Sequence, residues 1–345
     1  MTQPRTLKYR EALDEALVQA MERDETVFCL GVGVDDPKGI FGTTLSAFRK
    51  FGSARVLDTP LSENAVTGIA IGAAIAGMRP VMVHARNDFL LLTMDQLVNH
   101  AAKWRYMSGG GLRVPLTIRA VIGRGWGQAA QHSQSLQALF AHVPGLRVAM
   151  PSNAADAKGL LLSAIADDSP TILLEHRGLF EESAPVPAEP YEAPVGRGVV
   201  VRAGSDVTVV AISQMVGEAV KAADTLAGQG ISVEVIDPRW LAPLDDALIL
   251  SSAARTGRLV VADTSWTSFG VSAEIAARAA ERLWGRLKSP VARVALPDVP
   301  TPCSSKLEKL YYPGAAEIAA AVGRAVGVAG EAAPRHEDSQ FKGPF

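Results

Sequence analysis

Three stretches of the sequence hold side chains whose types and spacing could do chemistry. The first is "DTPLSENAVTGIAIGAAIAG", where Ser62 reads as a helix N-cap and Glu63 falls in the first turn. A carboxylate there complements the positive end of a helix dipole. The helix behind it is apolar nearly all round, which predicts burial. A carboxyl at a buried helix end needs a partner or holds a proton, and such groups are functional candidates. The second is "IGRGWGQAAQHSQSLQALF", which sets His132 between polar side chains behind Gly123, Gly125 and Gly127. Glycines there permit positive φ and close approach to a ligand or a neighbouring subunit. Hydrogen bonds from Gln131, Ser133 or Gln134 could fix the histidine tautomer. His132 is either part of a site or a polar residue near a helix start. The third is "HARNDF", which puts His84, Arg86, Asp88 and Phe89 just beyond the apolar run "RPVMV". It is either a polar loop or the ligand-binding end of a parallel strand.

Several common machines are absent. The glycine loop is GxGxG, not the dinucleotide GxGxxG, and no GK[ST] follows it. There is no GxSxG, no HxH or HExxH pair, and no GDG followed by an asparagine. The spacing of Gly68, Gly72 and Ala76 reads as close backbone packing, in the core or at a subunit interface.

These residues need a frame, and the flanking pattern supplies one. Apolar, β-branched runs such as "TVFCLGVGV", "RPVMVHA", "VPLTIRAVIG" and "PTILLEH" alternate with helical patterns. Near-continuous apolar strands between helices predict parallel sheets covered on both faces, an α/β class. Residues 181–195, "EESAPVPAEPYEAPV", hold four prolines and four glutamates and read as a linker. The alternation then resumes from "SDVTVVAIS" onward. The expected organisation is a first doubly wound domain over 1–180, a smaller second one over 196–328, and a disordered tail over 329–345. A chain of 345 residues exceeds the usual size of one core, in keeping with two domains.

Bulk composition narrows the function classes. The net charge is -2, from 34 basic and 36 acidic residues, so no nucleic-acid or membrane partner is expected from charge. Cys29 and Cys303 form no CxxC pair, which argues against a structural zinc site and for a reduced compartment. The N-terminus lacks the form of a secretory signal. The most apolar window, "VTGIAIGAAIAGM", falls well short of the roughly 20 residues that cross a bilayer. A soluble, cytoplasmic protein is expected.

Taken together, "LDTPLSENAVTGIAIGAAIAGMRPVM", "MDQLVNHAAKWRYMSGG", "GQAAQHSQSLQALFAHVPGLRVAMPSNAADAKGLLLSAIADDSP" and "SDVTVVAISQMV…GISVEVIDPRWLAPLDD" resemble the beta subunit of the thiamine-diphosphate-dependent decarboxylating component of 2-oxo acid dehydrogenases, such as pyruvate dehydrogenase. The resemblance runs from about residue 7 to 327, and the offsets from Glu63 to Phe89 and to His132 match it. It implies an N-terminal pyrimidine-binding domain and a transketolase C-terminal-like domain. It implies an α2β2 heterotetramer in which the alpha subunit carries the GDG…N motif and holds diphosphate and magnesium. It implies Glu63 as the acid that hydrogen-bonds the cofactor's pyrimidine ring, Phe89 as the stacking partner of that ring, and His132 on the substrate side. Ala164, Ile165 and Asp167 match a segment that binds a structural potassium ion through backbone carbonyls in some relatives.

The sequence also departs from the family pattern. "VHARND" replaces an apolar or aromatic run before the stacking phenylalanine, and "WTSFGVSAEI" stands where "GGFGAEI" is usual. The expectation is an intact cofactor core with an altered lining, in which His84 or Arg86 meets a more polar substrate or acceptor than pyruvate. Two catalytic readings stay open. One is decarboxylation of a 2-oxo acid with transfer to a lipoyl acyltransferase. The other is the beta half of a split transketolase-like enzyme with a sugar or other polar acceptor. "QHSQ" favours the first, since transketolases usually read "GPTHQ" there.

Overall fold

The computed structural model describes residues 5–36, 38–124 and 127–328. The tail expected over 329–345 and Gly125 of the glycine loop lie outside the described residues. The chain divides into two compact units. The first comprises residues 1–124, 139–196 and 240–243; the second comprises 125–138, 197–239 and 244–345.

The strands of the first unit are β1 (Arg5–Lys8), β2 (Val27–Gly31), β3 (Val56–Asp58), β4 (Arg79–His84), β5 (Thr117–Ile122), β6 (Arg147–Ala149), β7 (Thr171–His176) and β8 (Ser183–Val186). The second unit contributes β9 (Val199–Arg202), β10 (Val207–Ala211) and β11 (Val233–Asp237). It also contributes β13 (Leu259–Trp266) and β14 (Ala292–Leu296), while β12 (Trp240–Ala242) returns to the first.

The first sheet has seven strands in the order β12-β6-β7-β5-β4-β2-β3. All neighbours pair in parallel except the β12–β6 edge. The side chains of β5 and β7 are buried throughout, as a sheet covered on both faces requires. On one face, helix Tyr9–Arg23 buries Tyr9, Ala12, Leu13, Ala16, Leu17, Ala20 and Met21, a spacing of three and four that makes one apolar stripe. It packs on helix Ala154–Ala166, whose N-cap Asn153 accepts the Asp156 amide at 2.9 Å. The core also holds the ion pair Arg119–Glu175, at 2.5 Å and 0% and 1% exposed. Arg119 is further satisfied by the Thr43 carbonyl. Burying such a pair is neutral at best, but removing one partner would strand a charge.

The stretch 181–195, expected to be a linker, is built into this unit. β8 pairs antiparallel with β1, Tyr191 donates to the Ala155 carbonyl, and the Ala193 amide donates to Gly159. Of its four prolines only Pro185 lies in this two-stranded ladder, an edge position that proline tolerates.

The second sheet has the order β14-β13-β10-β11-β9, parallel except at β9. Helices Met215–Ala227 and Ala315–Val326 cover one face and complete an apolar core around Val209, Val235 and Val260.

Candidate functional site

In the first sheet the chain leaves β2 toward β3 on one side and later places β4 on the other. The order therefore reverses at β2, and the crevice beyond the carboxyl ends of β2 and β4 is a topological switch point, where α/β sheets bind ligands. A cleft of about 480 Å³, including its open mouth, lies there. Gly31 and Val32 end β2, Met82 to Ala85 end β4, and Thr59, Pro60 and Leu61 follow β3. Glu63, Val66 and Phe89 complete the lining. Glu63 is the first residue of helix Glu63–Ile75 and is only partly covered. Phe89 lies in the 3-10 turn Asn87–Thr93 and is also partly covered. The walls are otherwise almost wholly apolar, which suits a flat ring flanked by one aromatic side chain and one carboxyl.

His84 is 5% exposed and lines the same cleft, and its buried Nε2 has no hydrogen-bond partner among the described residues. Burial pushes its pKa down to about 4, so the ring is neutral at neutral pH. Arg86 is placed differently. It is 4% exposed and is not among the lining residues; its Nη1 donates to the Gly123 carbonyl at 3.0 Å. Beside that carbonyl is His176, also buried. Its Nδ1 accepts the Gly178 amide at 3.1 Å, which leaves the proton on Nε2. Burial, with the charge of Arg86 added, pushes His176 down to about 3. Gly123 has φ +76, and a Cβ on it would lie 2.4 Å from His176 Nε2, so only glycine fits. His176 carried no signal in the sequence beyond its place at the end of an apolar run.

His132 belongs to the second unit. It ends the 3-10 turn Ala130–His132 and is partly covered. Three residues earlier, Ala129 has φ 65 and ψ -177, a region otherwise left to glycine. Holding a side chain there costs about 1–3 kcal/mol and persists only where surrounding contacts enforce it.

The segment Ala164, Ile165 and Asp167 lies at the carboxyl end of helix Ala154–Ala166. Arg79 Nη1 donates to the carbonyls of Ile165, Ala166 and Asp167 at 3.0, 3.2 and 3.0 Å, and Nη2 reaches Asp168 Oδ1 at 2.9 Å. This helix end thus already faces a cation. Among the described residues, no group of three or more His, Cys, Asp or Glu is arranged to hold a metal ion.

Helix Glu63–Ile75 is not buried all round, contrary to the expectation from its composition. Val66, Thr67, Ala70, Ile71 and Ala74 face inward, while Ile69 is 66% exposed and Gly72 has open space before it. Leu61 and Leu92 are also exposed.

Residues 5–182 match the family model described as transketolase, pyrimidine binding domain, and residues 196–318 match transketolase, C-terminal domain. The acetoin:2,6-dichlorophenolindophenol oxidoreductase subunit beta of Cupriavidus necator is 45% identical over 327 residues, covering 92% of this chain and 96% of that protein. The chain belongs to the transketolase-like family of dehydrogenase beta subunits. A second member, the mitochondrial pyruvate dehydrogenase E1 component subunit beta-2 of Oryza sativa, is 42% identical over 320 residues, covering 92% of this chain and 85% of that one. Among solved structures, one titled split gene transketolase, inactive beta4 tetramer, superposes with a TM-score of 0.75 at 26% identity, covering 93% of this beta-subunit chain and 99% of that one. The beta-subunit family is one that works with thiamine diphosphate. No helix among the described residues of this member is long and apolar enough to cross a membrane.

Proposed function

We propose that the chain is the beta subunit of a thiamine-diphosphate-dependent enzyme that decarboxylates a 2-oxo acid and passes on the remaining acyl or aldehyde unit. The observation that carries this reading is the cleft at the switch point, lined by both Glu63 and Phe89 in a member of a thiamine-diphosphate family. In this reading Phe89 covers the face of the aminopyrimidine ring, an aromatic contact worth about 1 kcal/mol. The Glu63 carboxyl holds a hydrogen bond to a ring nitrogen and keeps the ring in register. The apolar walls from Val66, Met82 and Val83 keep water from that bond, which strengthens it. When bound, the cofactor supplies a carbon nucleophile and an electron sink for the carbon–carbon bond that breaks. His132 acts on the substrate side, as a hydrogen-bond partner for the carboxylate or carbonyl of the 2-oxo acid. Neutral His84 offers a further hydrogen bond to the ligand, and Arg86 acts through the Gly123 carbonyl.

The diphosphate and magnesium are held by an alpha subunit in an α2β2 heterotetramer. The exposed apolar side chains Leu61, Ile69 and Leu92, together with the open position at Gly72, give such a partner apolar surface to cover. A potassium ion at Ala164, Ile165 and Asp167 would share the Ile165 and Asp167 carbonyls with Arg79. The acceptor is a lipoyl group on an acyltransferase subunit, and the compartment is the cytoplasm. The second reading, a split transketolase-like transferase with a polar acceptor, is favoured by the fold likeness to the split gene transketolase and by the polar "HARND" segment.

Copurification of the chain with its alpha subunit, followed by thiamine diphosphate titration and assay of carbon dioxide release from pyruvate and branched 2-oxo acids, tests the proposal. Cofactor binding with release from at least one acid is expected. A complex that binds the cofactor and releases none from any 2-oxo acid would remove the decarboxylase reading and leave the transketolase-like one.

A further inference from the structure

The backbone around His132 is strained at Ala129, so something must hold it. Three side chains of the second unit do so, one before His132 and two after. Cys303 Sγ donates to the Gly127 carbonyl at 3.0 Å, and Thr301 Oγ1 to the Ser133 carbonyl at 3.4 Å. The third tie is the most deeply buried. Gln137 Nε2 donates to Asp263 Oδ1 at 2.8 Å, with both residues 0% exposed. Asp263 also accepts the Ser265 hydroxyl at 2.5 Å and the Ser265 amide at 3.3 Å. It sits on β13, beside β10, where the second sheet reverses its strand order.

We infer that Gln137 and Asp263 form a positioning pair that sets the place of His132 from the second unit's own sheet. The inference rests on the reading above that His132 serves the substrate. Apolar packing alone would hold the short helix Gln137–Ala141, since Phe140 within it and Leu136 just before it are buried. A buried amide–carboxylate bond adds direction, because the amide must turn its N–H end toward the Asp263 carboxyl. Burial pushes the Asp263 carboxyl up, while Ser265 and Gln137 hold it down.

The test uses the full chain in complex with its alpha subunit. Gln137→Met keeps the volume and loses the donor. It is expected to lower turnover about 10²-fold, as small misplacements of catalytic groups do, with thiamine diphosphate affinity unchanged. The rate at which diethyl pyrocarbonate modifies His132, read by mass spectrometry, should change several-fold while exposed His142 is unaffected. In a His132→Ala background the same substitution should add less than a ~2-fold further loss, as coupled sites require. Asp263→Asn, which retains a carbonyl acceptor, should restore most of what Asp263→Leu loses and serves if Gln137→Met folds poorly. Independent, multiplicative losses at 132 and 137, or unchanged His132 reactivity, would overturn the inference. Should His132→Ala itself keep full turnover, the role of His132 fails instead. The modification rate would then still report whether the tie exists.

Discussion

A Glu63→Gln variant is expected to assemble with its partner, bind thiamine diphosphate, and release carbon dioxide on the order of 10²–10⁴ times more slowly than the parent. Glutamine has the shape of glutamate and preserves the packing of the first turn of helix Glu63–Ile75, so the fold should be untouched. It cannot hold a proton on the atom that a carboxyl uses. Glu63 shares the cleft lining with Phe89 and with apolar side chains from two strand ends, so few other groups there can exchange a proton with a ring nitrogen. His84 is the other titratable group in the lining, and it is kept neutral by burial. The measurement is carbon dioxide release under saturating cofactor, with thermal unfolding as the control on folding. Activity within a few-fold of the parent would reduce Glu63 to a carboxylate that merely complements its helix dipole, worth about 0.3–1 kcal/mol of stability.

Acidification below about pH 6 should destabilise the protein, and two buried histidines set the sign. His84 and His176 have folded-state values near 4 and near 3, against 6.5 when exposed. Between those values and 6.5 the unfolded chain binds a proton at each site and the native chain does not. Stability is therefore fully present above 6.5 and is lost as the pH falls through that window. Each histidine contributes a slope of about 1.4 kcal/mol per pH unit. Asp14 and Asp263, raised by burial, act in the opposite sense. The contribution of one histidine is isolated by difference. Urea unfolding of the parent and of His176→Gln across pH 7 to 5 should show slopes differing by about one proton. Equal slopes would mean that His176 is protonated in the native protein or reached by water. Its place between Arg86 and Gly123 argues otherwise.

Much of the fold was legible because parallel strands buried on both faces leave long apolar runs, as in "TIRAVI" and "TILLEH". The cleft residues were legible for a different reason. Glu63 and Phe89 stand at family-like offsets, and His84 ends a strand whose carboxyl edge is where ligands bind. Non-local pairing was not legible. The composition of 181–195 announces a linker, and nothing local reveals that Ser183–Val186 pairs with Arg5–Lys8. Side-chain direction was also hidden. Arg86 and His84 are two residues apart in one polar segment, yet one lines the cleft and the other runs to the Gly123 carbonyl. Composition misjudged helix Glu63–Ile75, since an all-round apolar helix in a subunit can show its second face to a partner.

The interleaving of the two units limits how this protein could be recombined. A cut at residue 196, between the two family matches, looks like a clean joint between modules. It would separate Trp240–Ala242 from the sheet edge that strand completes. It would also leave Gly127, Ser133 and Gln137 without Cys303, Thr301 and Asp263. A chimera that borrows a foreign C-terminal half thus inherits a histidine loop tuned to the wrong host. Portable exchange would have to move 125–138 together with the C-terminal half and leave 240–243 behind. The natural unit of inheritance is in this sense the whole chain, and variation on one side of the joint is answerable to the other.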